Sequence, residues 1–405
     1  SLSIRFALLA SMAVGKSKAF NLLHSEDVMN TLNCLKKLGI KINITKKYCQ
    51  ITGNGLNNYK YKNNIILNAG NSGTAARLIS SLIINSPKIV KIIGDKSLSK
   101  RDMNRVIEPL KKFGATFFKN KGTLPIYMRG TPFPKAINYS EIRGSAQCKS
   151  AVMLAALSAP GITKLKCKPS RNHTELLFKH LNIPIKVKKK NNFDYIEVKG
   201  QKKISSFSYN IPGDISSAAF FIVLTLLSEK SSIIIKNINT NQSRTGLITI
   251  LNLMGASIKF KNKKIYKGEK IADIQVKSIK KLKALNCPTK YNSSAIDEML
   301  LVFLVAAKSN GVSYFKGLSE LNKKESPRLN LGSKILNQMG VKTKLTKDSI
   351  KIYGNPDLRL DKQYVIKNYL KDHRIFMMST VAALSIGGTW KIEDSDSIQS
   401  SFPTF

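Results

Sequence analysis

Acidic residues are scarce in this sequence. Asp and Glu total 24 against 67 Lys and Arg, which leaves a formal net charge of +43 over 405 residues. Such an imbalance raises the question of a nucleic-acid or other polyanionic partner. The lysines, however, alternate with apolar residues throughout, as in "IPIKVKKK", "ASIKFKNKK" and "VKTKLTK". They gather on no one segment and aromatics do not interleave with them, so they read as the solvated faces of strands. A non-catalytic polyanion binder stays open as an alternative. Cysteine is also sparse. Cys34, Cys49, Cys148, Cys167 and Cys287 are scattered, with no CxxC and no nearby histidine cluster. That argues against a zinc site or a disulfide framework and fits a reducing cytoplasm. Long apolar runs are missing too. "AFFIVLTLL" and "MLLVFLVAA" are about half the roughly 20 residues of a membrane span and read as buried helices. No signal-peptide pattern is visible.

What is present is repetition. Five segments share one grammar: an amphipathic helix, a Gly or Asn at its end, a hairpin, then another Gly. They are "LNCLKKLGIKINITKKYCQITG", "IEPLKKFGATFFKNKGTLPIYMRG", "LLFKHLNIPIKVKKKNNFDYIEVKG", "ILNLMGASIKFKNKKIYKG" and "ILNQMGVKTKLTKDSIKIYG". The helix-ending residues are Gly39, Gly114, Asn182, Gly255 and Gly340, a period of roughly 70 to 85 residues. Gly and Asn suit that place because the residue after a helix often turns left-handed. The alternating lysines that follow predict half-buried strands. A second, more apolar helix precedes each amphipathic one. These begin at "SLSIRFALLASMA", "GNSGTAARLISSLII", "GSAQCKSAVMLAALSA", "GDISSAAFFIVLTLL", "AIDEMLLVFLVAA" and "DHRIFMMSTVAALS". Helices apolar all round are buried on every side. Their small, polar or charged starts expose backbone N–H groups, a natural anion site.

The pattern therefore predicts an α/β protein of six units, each with an inner and an outer helix. The repeats divide three and three near residue 210. The first unit has no strand leading into its inner helix, and the sixth stops before an outer helix, so the pattern predicts a chain trimmed at both ends.

Ten stretches carry a family signature, in order: "SLSIRFALLAS", "NAGNSGTAARL", "GDKSLSKRDM", "GSAQCKSAVMLAALSAPG", "PGDISSAAFF" with "NQSRTGL", "IDEM" with "KKESPRL", and "DHRIFMM" with "SFPTF". Together they resemble the enolpyruvyl transferases, and among them the 3-phosphoshikimate 1-carboxyvinyltransferase (EPSP synthase) family. The resemblance implies a two-domain inside-out α/β barrel, each domain with three βαβαββ-type repeats about a pseudo-threefold axis, over residues 1–210 and 211–405. It also implies an active site in the cleft between the domains, a cytoplasmic monomer, and two small-molecule substrates, shikimate 3-phosphate and phosphoenolpyruvate. No cofactor, metal, nucleic acid or membrane is implied. The family's first signature normally carries a lysine just before Ser1 that contacts both substrates, and the chain as it stands is expected to be nearly inactive without it.

The reaction joins the two substrates and expels phosphate. Two polyanions need fixed positive charge, and the chemistry needs a base for the attacking hydroxyl and a proton donor for the methylene carbon. For shikimate 3-phosphate the resemblance points to Ser145, Ala146, Gln147, Ser170 and Arg171 at the phosphate, and to Ser1 and Arg5 at the ring and carboxylate. Asp297 and Lys324 complete that set. Ala146 stands where some members have Ser and offers only backbone. For phosphoenolpyruvate it points to Gly73, Arg101, Gln147, Lys324, Arg328 and Arg374. Arginine forks suit phosphate and carboxylate because they present paired donors and stay charged. Gly73 lets a ligand approach the backbone, and implies sensitivity to glyphosate.

Asp297 is the candidate base, with Glu325 and Lys324 as candidates for proton traffic at the methylene carbon. Carboxylates among Lys and Arg are expected to have lowered pKa values, which suits a base better than an acid. Asp214, Asp297 and Asp372 are expected to begin inner helices. For Asp214 and Asp372 the expected task is capping and orienting a neighbour such as Arg374, while His173 and His373 read as positional. Several positions depart from the family pattern. Asp102 follows Arg101 and could compete for its charge, Met299 and Pro327 replace the common Pro and Asp, and Ser400 stands where some members carry a lysine. A relative acting on UDP-N-acetylglucosamine is the alternative within the fold. It typically has a reactive Cys on a mobile loop, whereas Cys148 at the start of a buried helix reads as packing.

Overall fold

The computed structural model describes residues 1–119 and 121–405. Its contacts divide it into two compact units, Ser1–Ile211 and Pro212–Phe405. Both are built from one motif: a lead strand, an inner helix, a parallel strand, an outer helix and a hairpin. In the first unit, copy one is α1 (Leu2–Met12), β1 (Val14–Phe20), α2 (Glu26–Lys37), β2 (Lys41–Ile44) and β3 (Tyr48–Asn54). Copy two is β4 (Ile65–Asn68), α3 (Gly73–Leu82), β5 (Ile89–Ile93), α4 (Asn104–Lys112), β6 (Thr116–Phe118) and β7 (Ile126–Arg129). Copy three is β8 (Asn138–Glu141), α5 (Ala146–Ala156), β9 (Ile162–Cys167), α6 (His173–His180), β10 (Ile185–Lys190) and β11 (Phe193–Lys199), and β12 (Ser208–Asn210) follows. The three sheets run β12-β1-β3-β2, β4-β5-β7-β6 and β8-β9-β11-β10. The lead-strand place beside β1 is filled from the far end of the unit. β12 lies parallel to β1, with Lys18, Ala19 and Phe20 opposite Ser208, Tyr209 and Asn210.

The second unit repeats the plan less evenly. α7 (Ile215–Leu227), β13 (Ser232–Asn239), α8 (Gly246–Leu253), β14 (Lys259–Tyr266) and β15 (Glu269–Lys277) form its first copy. The next is β16 (Leu282–Lys283), a short α9 (Asn292–Ala295), α10 (Met299–Ala307), β17 (Ser309–Phe315), α11 (Arg328–Gln338), β18 (Thr343–Leu345) and β19 (Ile350–Gly354). β20 (Leu360–Ile366), α12 (His373–Ile386) and β21 (Gly387–Ile392) close the unit. The sheets are β13-β15-β14, β16-β17-β19-β18 and β20-β21. The inner helices α7, α10 and α12 pack against one another.

Local sequence explains the division into inner and outer helices. α2 opens with Glu26 and Asp27 and closes with Lys36 and Lys37, complementing the helix dipole. It buries Val28, Leu32 and Leu35 and leaves its other face to solvent. α10 has no such faces: all nine residues of Met-Leu-Leu-Val-Phe-Leu-Val-Ala-Ala are buried. Each large side chain among them contributes about 1.5–3 kcal/mol by leaving water. No helix among the described residues is long and apolar enough to cross a membrane. The helix-ending residues Gly39, Gly114, Asn182, Gly255 and Gly340 all have positive φ, between 55° and 111°.

The closing glycines serve a different purpose. A Cβ on Gly53 would lie 2.2 Å from the carbonyl oxygens of Ala10 and Ala13, and one on Gly354 would lie 2.3 and 2.5 Å from those of Ser309 and Ala306. These glycines let a hairpin press against the end of an inner helix. The fourth segment departs from the sequence reading. The Lys-rich stretch before Gly268 is one continuous strand, β14, and Gly268 itself (φ +85°) lies in the hairpin turn. Asn262 resembles a turn residue but makes a bulge, where the β14–β15 register shifts between Lys261 and Lys264. Asp297 also falls short of its expected place: it sits in the turn between α9 and α10, and Glu298 occupies the cap position.

Gly354→Ala is expected to cost about 2–3 kcal/mol, because two backbone oxygens must move. Gly340→Ala, with φ +78° and nothing near its absent Cβ, is expected to cost about 1 kcal/mol from backbone strain alone. Urea denaturation of the two variants checks the order.

Candidate active site

The heads of the three inner helices in the first unit all carry serine: Ser1, Ser72 and Ser145 occupy the cap positions of α1, α3 and α5. Ser72 Oγ accepts from Ala75 N at 3.2 Å and Ser145 Oγ from Cys148 N at 3.3 Å. Ala146, one residue into α5, adds only backbone. Arg5 on α1 is 4% exposed. Its guanidinium donates to Ser1 Oγ (2.8 Å), Thr174 Oγ1 (2.9 Å) and Ser150 Oγ (2.9 Å). Hydroxyls from α6 and α5 thus fix the plane of the fork without neutralising it.

A second group lies around Gly73, the first residue of α3. A Cβ there would be 3.2 Å from Arg77 Nη1 and 3.3 Å from Arg101 Nη1, so two guanidiniums converge on this glycine. Arg77 donates to Gln147 Oε1 (2.5 Å) and to the Asp102 carbonyl (3.0 Å), while Gln147 Nε2 donates to Thr74 Oγ1 (2.9 Å). Arg101 Nη2 donates to Asn71 Oδ1 at 2.7 Å. Asp102 turns its carboxylate to Arg105 Nε (3.3 Å) and to Asn104 N (2.9 Å). Sequence reasoning missed Arg77, although it lies one turn beyond Gly73 on the same helix face. It also missed Lys149. This fully buried amine pairs with Glu175 Oε1 at 2.6 Å and donates to the Ser170 carbonyl at 3.3 Å. It thereby ties the segment bearing Ser170 and the half-buried Arg171 to α5. Ser170 Oγ is buried with no hydrogen-bond partner among the described residues.

In the second unit the helix heads carry acids instead: Asp214, Glu298 and Asp372 at α7, α10 and α12. Each holds an arginine. Asp214 Oδ1 caps Ser216 N at 2.7 Å and meets Arg244 Nη2 at 3.2 Å. Asp372 accepts from Arg374 N (3.0 Å), Ser326 Oγ (2.7 Å), and Arg328 Nε and Nη2 (2.8 and 3.0 Å). The side chain that Asp372 orients is thus Arg328, not Arg374. Glu298 Oε1 lies 3.5 Å from Arg374 Nη1, which also donates to the Asp297 carbonyl at 2.8 Å. Burial favours the neutral form of Asp214 and Asp372, but Arg244 and Arg328 respectively hold these carboxyls below their usual range. Burial pushes the Glu298 carboxyl up, against the pull of Arg374 and Arg244.

The three candidates for proton chemistry are brought together around Arg328. Asp297 Oδ1 is 3.1 Å from Lys324 Nζ and 3.8 Å from Arg328 Nη1, and Glu325 Oε2 is 2.5 Å from Arg328 Nη2. Pro327 at the head of α11 does not misdirect Arg328, whose side chain is 2% exposed and faces three carboxylates of its own unit. Lys324 and Glu325 keep about a quarter of their side-chain surface and Asp297 keeps 13%. Such an arrangement can take a proton from a bound hydroxyl at Asp297 and deliver one from the neighbouring pair. His173 is buried at the start of α6. His373 Nδ1 lies 3.1 Å from Ser400 Oγ, and desolvation pushes the His373 ring down to about 4. Cys148 donates to the Arg105 carbonyl at 2.8 Å, and burial raises its thiol to about 12, so it stays protonated and unreactive. Among the described residues no group of His, Cys, Asp and Glu is placed to hold a metal.

The family described as EPSP synthase (3-phosphoshikimate 1-carboxyvinyltransferase) matches residues 1–405. The chain belongs to the EPSP synthase family. A 3-phosphoshikimate 1-carboxyvinyltransferase of Ruthia magnifica is 37% identical over 100% of this chain and 91% of its own length. An EPSP synthase structure from Acinetobacter baumannii superposes with a TM-score of 0.86 at 32% identity, covering 100% of this chain and 92% of that one. The enolpyruvyl transferase NikO of Streptomyces tendae shares the fold at a TM-score of 0.74 and 10% identity, over 99% of this chain and 89% of that one. The family assignment gives the two-unit α/β architecture its name, the enolpyruvyl transferase fold.

His373 yields a prediction about pH. The folded ring stays neutral down to about pH 4, whereas the unfolded ring takes a proton near its ordinary value of about 6.5. The folded state therefore loses stability as pH falls from about 6.5 toward 4. Between pH 7 and 4.5, His373→Asn is expected to lose about 2 kcal/mol less than the unmodified protein in urea titrations. Equal losses in the two proteins would rule out His373 as the source.

Proposed function

We propose that this protein transfers the enolpyruvyl group of phosphoenolpyruvate to the 5-hydroxyl of shikimate 3-phosphate, giving 5-enolpyruvylshikimate 3-phosphate and phosphate. The observation that carries the reading is the cluster of Asp297, Lys324, Glu325 and Arg328, joined by ion pairs of Asp297 with Lys324 and Arg328 and of Glu325 with Arg328. The hydroxyl oxygen attacks the carbon bearing the phosphate ester, and Asp297 takes its proton. The methylene carbon gains a proton through Lys324 and Glu325, giving a tetrahedral adduct. Loss of that proton and of phosphate restores the double bond. The reaction thus moves one proton on and off carbon and needs no redox partner.

Ser145, the Ala146 backbone, Gln147, Ser170 and Arg171 hold the phosphate of shikimate 3-phosphate. The orphaned Ser170 hydroxyl and the backbone N–H groups at the head of α5 are the donors this reading assigns to it. Ser1 and Arg5 hold the ring and its carboxylate. Gly73, Arg101, Gln147, Lys324, Arg328 and Arg374 hold phosphoenolpyruvate. The buried, protonated Cys148 disfavours the UDP-N-acetylglucosamine alternative, which relies on a reactive thiol. We place the reaction in the cytoplasm, carried out by a monomer.

Phosphate release by the full-length protein supplied with both substrates tests the reading. Asp297→Ala is expected to lower kcat by a factor of about 10²–10⁴, the range for removal of a general base. Arg101→Ala is expected to raise KM for phosphoenolpyruvate more than tenfold. A full-length protein inert toward this pair, or an Asp297→Ala variant with most of its activity, overturns the assignment.

A further inference from the structure

One buried carboxylate has no task in the scheme above. Glu298 is 1% exposed and occupies the cap position of α10, yet its side chain caps no backbone N–H. It reaches sideways instead. Its Oε1 accepts from Ser216 Oγ, on the first turn of α7, and lies 3.5 Å from Arg374 Nη1 on α12. Ser216 Oγ in turn accepts from Arg244 Nη2, which also binds Asp214 Oδ1. A continuous chain, Arg374 to Glu298 to Ser216 to Arg244 to Asp214, therefore crosses the heads of all three inner helices of the second unit.

The two arginines of this unit assigned to phosphoenolpyruvate are held in different ways. Arg328 meets carboxylates through Nε, Nη1 and Nη2. Arg374 is gripped by one nitrogen only. Nη1 carries both the Asp297 carbonyl bond and the Glu298 contact, while Nε and Nη2 have no hydrogen-bond partner among the described residues. A guanidinium pinned at one corner has a fixed direction and an open edge, the geometry for a bidentate grip on an anion. The Asp297 carbonyl alone would leave the fork free to swing about a single bond, and Glu298 supplies the second point.

We propose that Glu298 is a positioning residue that acts through Arg374, fixing the open edge of its fork toward the anionic groups of phosphoenolpyruvate, with Ser216 and Arg244 holding Glu298 itself in place. This rests on the function proposed above. Glu298→Gln keeps the shape and can keep the Ser216 bond, but removes the charge that attracts Arg374. In the full-length protein, KM for phosphoenolpyruvate is expected to rise roughly tenfold, the scale of one charge-assisted bond. KM for shikimate 3-phosphate should stay within about twofold. In an Arg374→Ala background the same substitution is expected to add nothing, since its route of action is gone. Should Glu298→Gln fail to fold, Ser216→Ala loosens Glu298 without removing a charge and is expected to raise the same KM by a smaller factor. An additive effect in the Arg374→Ala background, equal changes for both substrates, or no change at all overturns the assignment while the parent enzyme still turns over. A parent enzyme inert toward both substrates overturns the proposed function, and this inference with it.

Discussion

A helix whose first turn is buried presents backbone N–H groups that water cannot reach, and something must answer them. The inner helices of this protein are enclosed nearly all round, so their heads become fixed points of electrostatic demand. The two units answer differently. In the first, serines occupy the cap positions, and at α5 the buried Glu141 also accepts from the Ser145 N–H at 3.0 Å. In the second, Asp214, Glu298 and Asp372 sit there, and each carboxylate then needs a cation. Arg244, Arg374 and Arg328 are that answer. The positions of the candidate substrate-binding arginines of the second unit thus follow from how its buried helices are started.

This gives the unusual composition a spatial sense. With only 24 acidic residues in the chain, five of them, Asp214, Asp297, Glu298, Glu325 and Asp372, lie at or beside these helix heads and the start of α11. Lys324 and the buried Lys149 apart, many of the abundant lysines sit elsewhere, on exposed strand positions such as those of β10 and β14. Carboxylates are spent where an arginine must be aimed, and the surface is left cationic. A strongly basic protein of this kind attracts anionic metabolites at long range while keeping its buried charges locally balanced.

Much of this fold is legible in the sequence alone. The glycines ending the outer helices are readable because a left-handed residue there is a local demand, answered by one or two residue types. Asp297, Lys324, Arg328 and Arg374 stand out as candidates because they fall in ordered motifs. What escaped the sequence depends on distance. Lys149 and Glu175 lie on different helices, and nothing local shows that one neutralises the other. Glu298 looks like an ordinary acidic residue at a helix start until Ser216 and Arg374 are placed around it. The misread hairpin before Gly268 fails for the opposite reason: Asn262 carries a genuine turn signal, but the neighbouring strand absorbs it as a bulge.

The pairing of β1 with β12 bears on how the first unit is made. Lys18 and Ser208 are neighbours in one sheet although 190 residues separate them in the chain. At a translation rate of about 5–20 residues per second, β12 leaves the ribosome roughly 10–40 s after β1. During that interval β1 has β3 on one side and an open edge on the other. The first unit must therefore be completed late and all at once, by a long-range closure of high contact order, rather than grown copy by copy as its repeats suggest.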